Sequence, residues 1–417
     1  MALNLHSRML QWHPSPLPWC DVSMDISGKP RRILAVDAAR LVAILGMFAA
    51  HIFPLYEYRG SDAYSPTFTG AVASGRASVL FMVLAGLSLT LMTASLARRG
   101  FSHPKIYSVL ALRALIIAVL GMVIGTINEG IAVILVHYGL LFLLLPLVLG
   151  LPRATIWVVS VLWLVLAPLI WRPLAAGALG QSLGHNPSFG DLLSPGPLFQ
   201  DLTVTGYYPL LVWFGYGLLG VALGHCDLGS KKTAAVLTVS GGAIAAISYI
   251  AGRVMSLGFT GQISAASGAL PSLVPTLITT GRLPGTSLDP YLASAEYLWL
   301  PTGHSNALLA TVHSASCAVA VLGFLLLLVP RLGGLGRVLA GAGRAPLTLY
   351  AGHLVLLPLL DDVLEPSAIW WILCAATACC GIWLGFTRAS GPLEFCVRVL
   401  SGADGQRMPK AEPGPRF

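Results

Sequence analysis

Apolar residues in this chain gather into long, nearly uninterrupted runs, separated by polar segments rich in proline or glycine. Several runs reach about 18 residues or more, the length a helix needs to cross hydrocarbon. Ten spans are predicted, at roughly 33–55, 77–96, 106–127, 131–150, 154–171, 208–224, 233–252, 306–329, 346–360 and 369–387. The expected architecture is an all-α polytopic membrane protein with about ten transmembrane helices and both termini cytoplasmic. No internal repeat divides the spans into duplicated halves, which weighs against a transporter built that way. Two connecting segments, 172–207 and 253–305, are long and short of charge, as lids and binding surfaces are. Residues 1–30 are polar and proline-rich and lack the apolar core of a signal peptide. They read as a disordered cytoplasmic tail, with a membrane domain at 31–400 and a flexible cytoplasmic tail at 401–417.

Composition strengthens this picture. Of 417 residues, 56% are hydrophobic and only 10% are charged, with a mean hydropathy of +0.78. A soluble protein of this length carries about twice that charge. With both termini inside, eighteen of the 25 lysines and arginines fall on the inner side. Arg59, Arg76, Arg172, Arg253 and Arg282 fall outside, and Arg40 and Arg113 lie within spans. That bias sets orientation, so the net charge of +8 requires no nucleic-acid partner. The outer side carries more acidic than basic residues, which suits a neutral or cationic ligand and equally a plain solvated surface. All seven cysteines fall in spans or on the inner side, so no disulfide is expected, and no Cys/His spacing suggests a metal. The protein reads as multi-pass in the cell (plasma) membrane with the lipid bilayer as its partner, and a homodimer is compatible with the chain.

The candidate chemistry begins in the first span, Arg40-Leu-Val-Ala-Ile-Leu-Gly-Met-Phe-Ala-Ala-His51. Eleven helical steps of ~100° come to ~1100°, about 20° past three turns, so both side chains share a face ~16 Å apart. Asp37 falls near the same face. Ionisable residues in a bilayer usually face the protein interior, and imidazole is suited to proton transfer near neutral pH. A snorkelling cation and an interfacial imidazole are the plainer reading. Arg113 sits at a similar depth in the third span. Two arginines in the inner half suit a phosphate group, and a structural Arg113–Asp37 pair suits the sequence equally well. Arg337 and Arg344, in a glycine-rich inner segment, lie where a nucleotide's phosphates would enter, or in a flexible connector.

Toward the outer side stand Arg76 at the head of the second span, His137, Tyr208, His304, and the neighbours Tyr350 and His353. Each is a candidate substrate contact, with helix-end anchoring, aromatic belts or core packing as the ordinary alternative. His304 and His313 are nine residues apart and would face opposite ways on one helix, so His304 is favoured.

Together these blocks look familiar. Arg40…His51 resembles the Arg-x10-His signature of acyltransferase family 3. The wider pattern is similar to the heparan-α-glucosaminide N-acetyltransferase and YeiB-like membrane enzymes. It comprises Arg32-Ile-Leu-Ala-Val-Asp37-Ala-Ala-Arg40, Gly75-Arg76…Leu80-Phe81, Tyr207-Tyr208-Pro209…Trp213…Gly217…Gly220…Gly224, and His304-Ser305. Gly343-Arg344…Tyr350-Ala-Gly-His353 and Gly391-Pro392-Leu393-Glu394…Arg398 complete it. Leu41 stands where that family usually has glycine. The resemblance implies an acyl-CoA-dependent O- or N-acyltransferase. Such an enzyme moves an acyl group, acetyl in the first instance, from cytoplasmic acyl-CoA to an extracytoplasmic sugar or glycolipid. His51, Arg40 and Asp37 would be catalytic, and Arg40, Arg113, Arg337 and Arg344 would bind acyl-CoA, with no metal. The rival expectation is a transporter or flippase for a lipid-linked sugar. The enzyme reading requires Arg40 and His51 to face inward and a passage to join the cytoplasmic mouth to His51.

Overall fold

The computed structural model describes residues 33–60, 63–128, 130–387 and 389–403. Arg32, the tail at 1–30 and most of the tail at 401–417 lie outside the described residues. Twelve helices carry the architecture. They are α1 (Leu34–Ile52), α2 (Arg76–Arg98), α3 (His103–Gly125), α4 (Leu135–Leu144), α5 (Arg153–Gly177) and α6 (Leu210–Gly224), then α7 (Lys231–Gly258), α8 (Leu308–Leu328), α9 (Gly333–Ala342), α10 (Pro346–Leu360), α11 (Pro366–Phe386) and α12 (Pro392–Leu400). Among the described residues, sheet is confined to short antiparallel hairpins. One joins β1 (Tyr56–Gly60) to β2 (Ala63–Pro66) directly after α1.

Among the described residues, seven helices are long and apolar enough to cross a membrane, and up to nine if each of two bent pairs is one span. Of the ten expected spans, not every one is matched by a helix of that length among the described residues. All ten segments form helix, but the one at 131–150 is helical only over 135–148, tightening into a 3-10 turn at Pro146. Helix α10 has 15 residues, too few to span alone. Helix α6 also has 15, and helix 195–205 meets it at a 56° bend. The segment 253–305, expected as loop, holds a second bent pair, 260–267 with 271–280, folded by 109°. Phe53 ends α1 in extended backbone because the following Pro54 disfavours the helical conformation there.

Helix α2 is the most enclosed of the seven, with 72% of its apolar window buried against at most 56% in the others. Close contact with α6 explains this. A Cβ on Gly86 would lie 2.0 Å from the Gly217 carbonyl oxygen, and one on Gly220 would lie 1.9 Å from that of Val83. Backbone touches backbone, as small residues permit between membrane helices. Helix α1 packs on α2 and α9, α3 on α4, and α7 on α8. The ends of α1, α2, α5, α6, α7 and α8 meet around one cavity, so their direction alternates through the bundle.

Candidate functional site

Near the C-terminal end of α1, His51 Nδ1 lies 2.9 Å from Nε2 of His353 on α10, with the rings stacked at 5.2 Å. The two residues are 302 positions apart in the chain. His353 is almost fully buried, while His51 keeps partial exposure. His353 Nδ1 has no hydrogen bond of normal geometry and sits beside the backbone of Leu349 and Tyr350, one turn earlier. An N–H at that position best suits those dipoles. His353 Nε2 then accepts from the His51 Nδ1–H, which leaves His51 Nε2 as a free lone pair.

Rings carry the site inward from this pair. Tyr350 lies 5.1 Å from His353, Phe81 6.0 Å from Tyr350, and Tyr138 5.2 Å from Phe81. The Tyr350 hydroxyl accepts from the Ile134 amide at 3.2 Å. Tyr138 lies within electrostatic reach of both Arg40 and Arg113. Arg40 donates to the Asp37 carboxylate and, at 2.6 Å, to Ser88 Oγ on α2. Arg40 and His51 thus both contact neighbouring helices. Asp37 pairs with Arg40, while Arg113 faces Tyr138, Glu394, Arg40 and Arg398. Its Nε is buried and makes no hydrogen bond among the described residues. Glu394 is itself engaged, accepting from the Leu347 and Thr348 amides at 2.5 and 3.1 Å at the start of α10. A carboxylate there satisfies helix N–H groups that lack partners.

His304 stacks on Trp213 at 5.9 Å and meets Tyr208 edge-on at 5.8 Å. Tyr208 also meets His137 at 5.6 Å. Trp213 Nε1 donates to Asn306 at 2.9 Å, and the Tyr208 hydroxyl to the Ala132 carbonyl at 3.1 Å. His304 (φ 61°) and Asn306 (φ 55°) are the left-handed non-glycine residues of the described chain. Such backbone costs of order 1–3 kcal/mol each and tends to cluster at functional sites. Gly75 and Gly303 make the crossing possible, since a Cβ on Gly75 would lie 2.8 Å from the His304 nitrogen. Burial, then the guanidinium groups of Arg282 and Arg76, lower the His304 imidazole to about 4, so it is neutral at physiological pH. His137 is buried, and neither ring nitrogen has a hydrogen-bond partner among the described residues.

Three expected contacts are engaged elsewhere. Arg76 Nε donates to His313 Nε2 at 2.9 Å, and its guanidinium faces the Tyr249 ring. His313 Nδ1 pairs with the Ala245 carbonyl at 2.9 Å, so the imidazole is saturated. Arg344 donates to the carbonyls of Leu384, Thr387 and Ala389 and closes the C-terminal end of α11. Arg337 lies over the Phe386 ring at 5.4 Å. A cavity of about 930 Å³ opens at the basic end, but neither Arg40 nor His51 lines it. The rings of Tyr138, Phe81 and Tyr350 stand between the arginines and the histidine pair where a passage was expected. Sequence reasoning missed Ser88 as the partner of Arg40 and the pairing of His51 with His353. Only the helical spacing of Tyr350 and His353 hinted at the second.

No curated protein matches the chain. A family model does, that of the heparan-α-glucosaminide N-acetyltransferase catalytic region, over residues 32–257. The matched stretch contains Arg40, His51, Arg76, Arg113, His137 and Tyr208, whereas His304, Tyr350 and His353 follow it. With more than half its length covered, and with seven or more apolar helices, the chain belongs to the heparan-α-glucosaminide N-acetyltransferase catalytic family of membrane proteins.

Proposed function

We propose that this protein transfers an acetyl group from cytoplasmic acetyl-CoA to an amine or hydroxyl of a sugar or glycolipid on the other side of the membrane. The observation that carries the reading is the 2.9 Å contact between His51 Nδ1 and His353 Nε2. It leaves one imidazole nitrogen, His51 Nε2, as a base whose partner nitrogen is held by a second ring. The acceptor nitrogen or oxygen attacks the thioester carbonyl while His51 Nε2 takes its proton. The tetrahedral intermediate collapses, the C–S bond breaks, and the thiolate takes up the proton as free thiol. His353 acts by fixing the His51 tautomer.

The basic end supports donor binding. Arg40 and Arg113 reach the same tyrosine, and guanidinium pairs well with phosphate oxygens. The opposite end carries His304, Tyr208 and His137 for the acceptor, with Asp37 holding Arg40. The excess of lysine and arginine on the first side supports its assignment to the cytoplasm. In this reading the Tyr138–Phe81–Tyr350 rings separate donor from acceptor until the pantetheine arm enters.

The test is purified protein in lipid nanodiscs with acetyl-CoA radiolabelled on the acetyl group and a glucosaminide acceptor. Label moving into the acceptor, dependent on protein, supports the reading. Transport of a lipid-linked sugar with no label in any acceptor would establish the rival transporter or flippase.

A further inference from the structure

The cavity of about 930 Å³ at the basic end belongs to neither the histidine pair nor the Arg40–Arg113 cluster, since none of those four residues lines it. Its polar wall carries three cations, Arg153, Lys231 and Arg331, against a single carboxylate, Asp227. That carboxylate is already engaged by the Gly229 amide at 3.0 Å. The wall also includes His225, whose Nε2 is buried with no hydrogen-bond partner among the described residues. Burial, then the Arg153 guanidinium, lowers the pKa of that imidazole. Helix α7, 28 residues long, starts at the cavity with its N-terminal dipole. The remaining wall is aliphatic, with Leu91 and Leu326 on it.

Cationic groups and an unsatisfied imidazole in the wall of one cavity that also has aliphatic side chains match a ligand of two characters. An inorganic anion would leave most of the volume empty, because pockets of about 300–1,000 Å³ hold drug-sized molecules. We propose that this cavity is a second binding site, which takes a phosphate ester carrying a large organic group. The phosphate lies against Lys231, Arg331 and His225, and the organic part against Leu91 and Leu326. Coenzyme A and an anionic phospholipid share this chemistry. The proposal stands on the cavity alone and holds whether or not His51 is the base of an acetyl transfer.

Two probes test it on the whole protein in nanodiscs. Coenzyme A binding is measured by equilibrium dialysis, and retention of phosphatidylglycerol by native mass spectrometry. The double variant Lys231→Gln/Arg331→Gln is expected to lose about tenfold or more in affinity for one probe, since hydrogen bonds to charged groups are worth about 1.5–3 kcal/mol. Loss with coenzyme A identifies the source as the nucleotide, and loss with phosphatidylglycerol identifies the lipid. Lys232→Gln, beside the cavity but not in its wall, should change neither. The proposal is overturned if wild-type protein binds neither probe, if the double variant binds both as wild type does, or if Lys232→Gln matches the double variant.

Discussion

His313 and His353 are both buried histidines on the second half of the chain, and both lie beside an aromatic ring, yet their surroundings differ in kind. His313 has both nitrogens engaged, one by the Ala245 carbonyl and one by Arg76. It cannot gain a proton without breaking a bond it already makes. His353 has one nitrogen on His51 and the other beside the Leu349 and Tyr350 backbone without a hydrogen bond of normal geometry, and His51 beyond it keeps a free nitrogen and partial exposure. His137 goes further, with both nitrogens unsatisfied. A buried polar group without a partner costs about 1–3 kcal/mol, so its persistence points to a ligand that satisfies it. The comparison teaches that saturation, more than depth or residue type, separates a histidine that braces helices from one that does chemistry.

The largest effect expected is at His51. His51→Ala should lower acetyl transfer by about 10²–10⁴-fold, the usual worth of a general base, while its elution and melting in detergent stay close to wild type. His353→Ala should cost about 10–100-fold, because only the orientation of the base is lost. Its pH–rate profile should shift, which a purely structural role would not produce.

His137 and His313 should then respond with opposite signs. His137→Leu replaces an unsatisfied imidazole with an apolar side chain, so the melting temperature should hold or rise while KM for the acceptor increases about tenfold. His313→Leu leaves Arg76 and the Ala245 carbonyl without partners and should destabilise the protein by about 1–3 kcal/mol, with turnover per folded molecule within a few-fold of wild type. If His313→Leu lowered turnover as His51→Ala does, saturation would not be the distinguishing property.

The smallest effect concerns His304. Its folded imidazole is lowered to about 4, against an unfolded value of about 6.5. Between those values the unfolded chain binds the extra proton, so stability falls as pH drops from about 6.5 toward 4. His304→Asn, which tolerates the left-handed backbone, should flatten that part of the stability curve measured by thermal melting.

Much of the fold was legible because apolar length is a local property. The first span was expected at 33–55 and found at 34–52, its end set by Pro54. The bent pair at 260–280 was hidden because Gly, Pro and Ser read as loop, and only packing against neighbours bends short helices into place. The site was half legible. The common face of Arg40 and His51 follows from helix geometry, and the Tyr350–His353 neighbourhood from a spacing of three. The meeting of His51 with His353 depends on how α1 packs near α10, across a separation that no local pattern encodes. Arg344 looked like a phosphate ligand, and only the returning end of α11 shows it holding carbonyl groups.

The most direct measurement is chemical rescue of two glycine variants by added imidazole, with acetyl transfer as the readout. If His51 supplies the base, His51→Gly is nearly inactive and imidazole restores part of its turnover in a saturable manner, while His313→Gly gains nothing. Full activity of His51→Gly without imidazole, or equal rescue of both variants, would contradict the account.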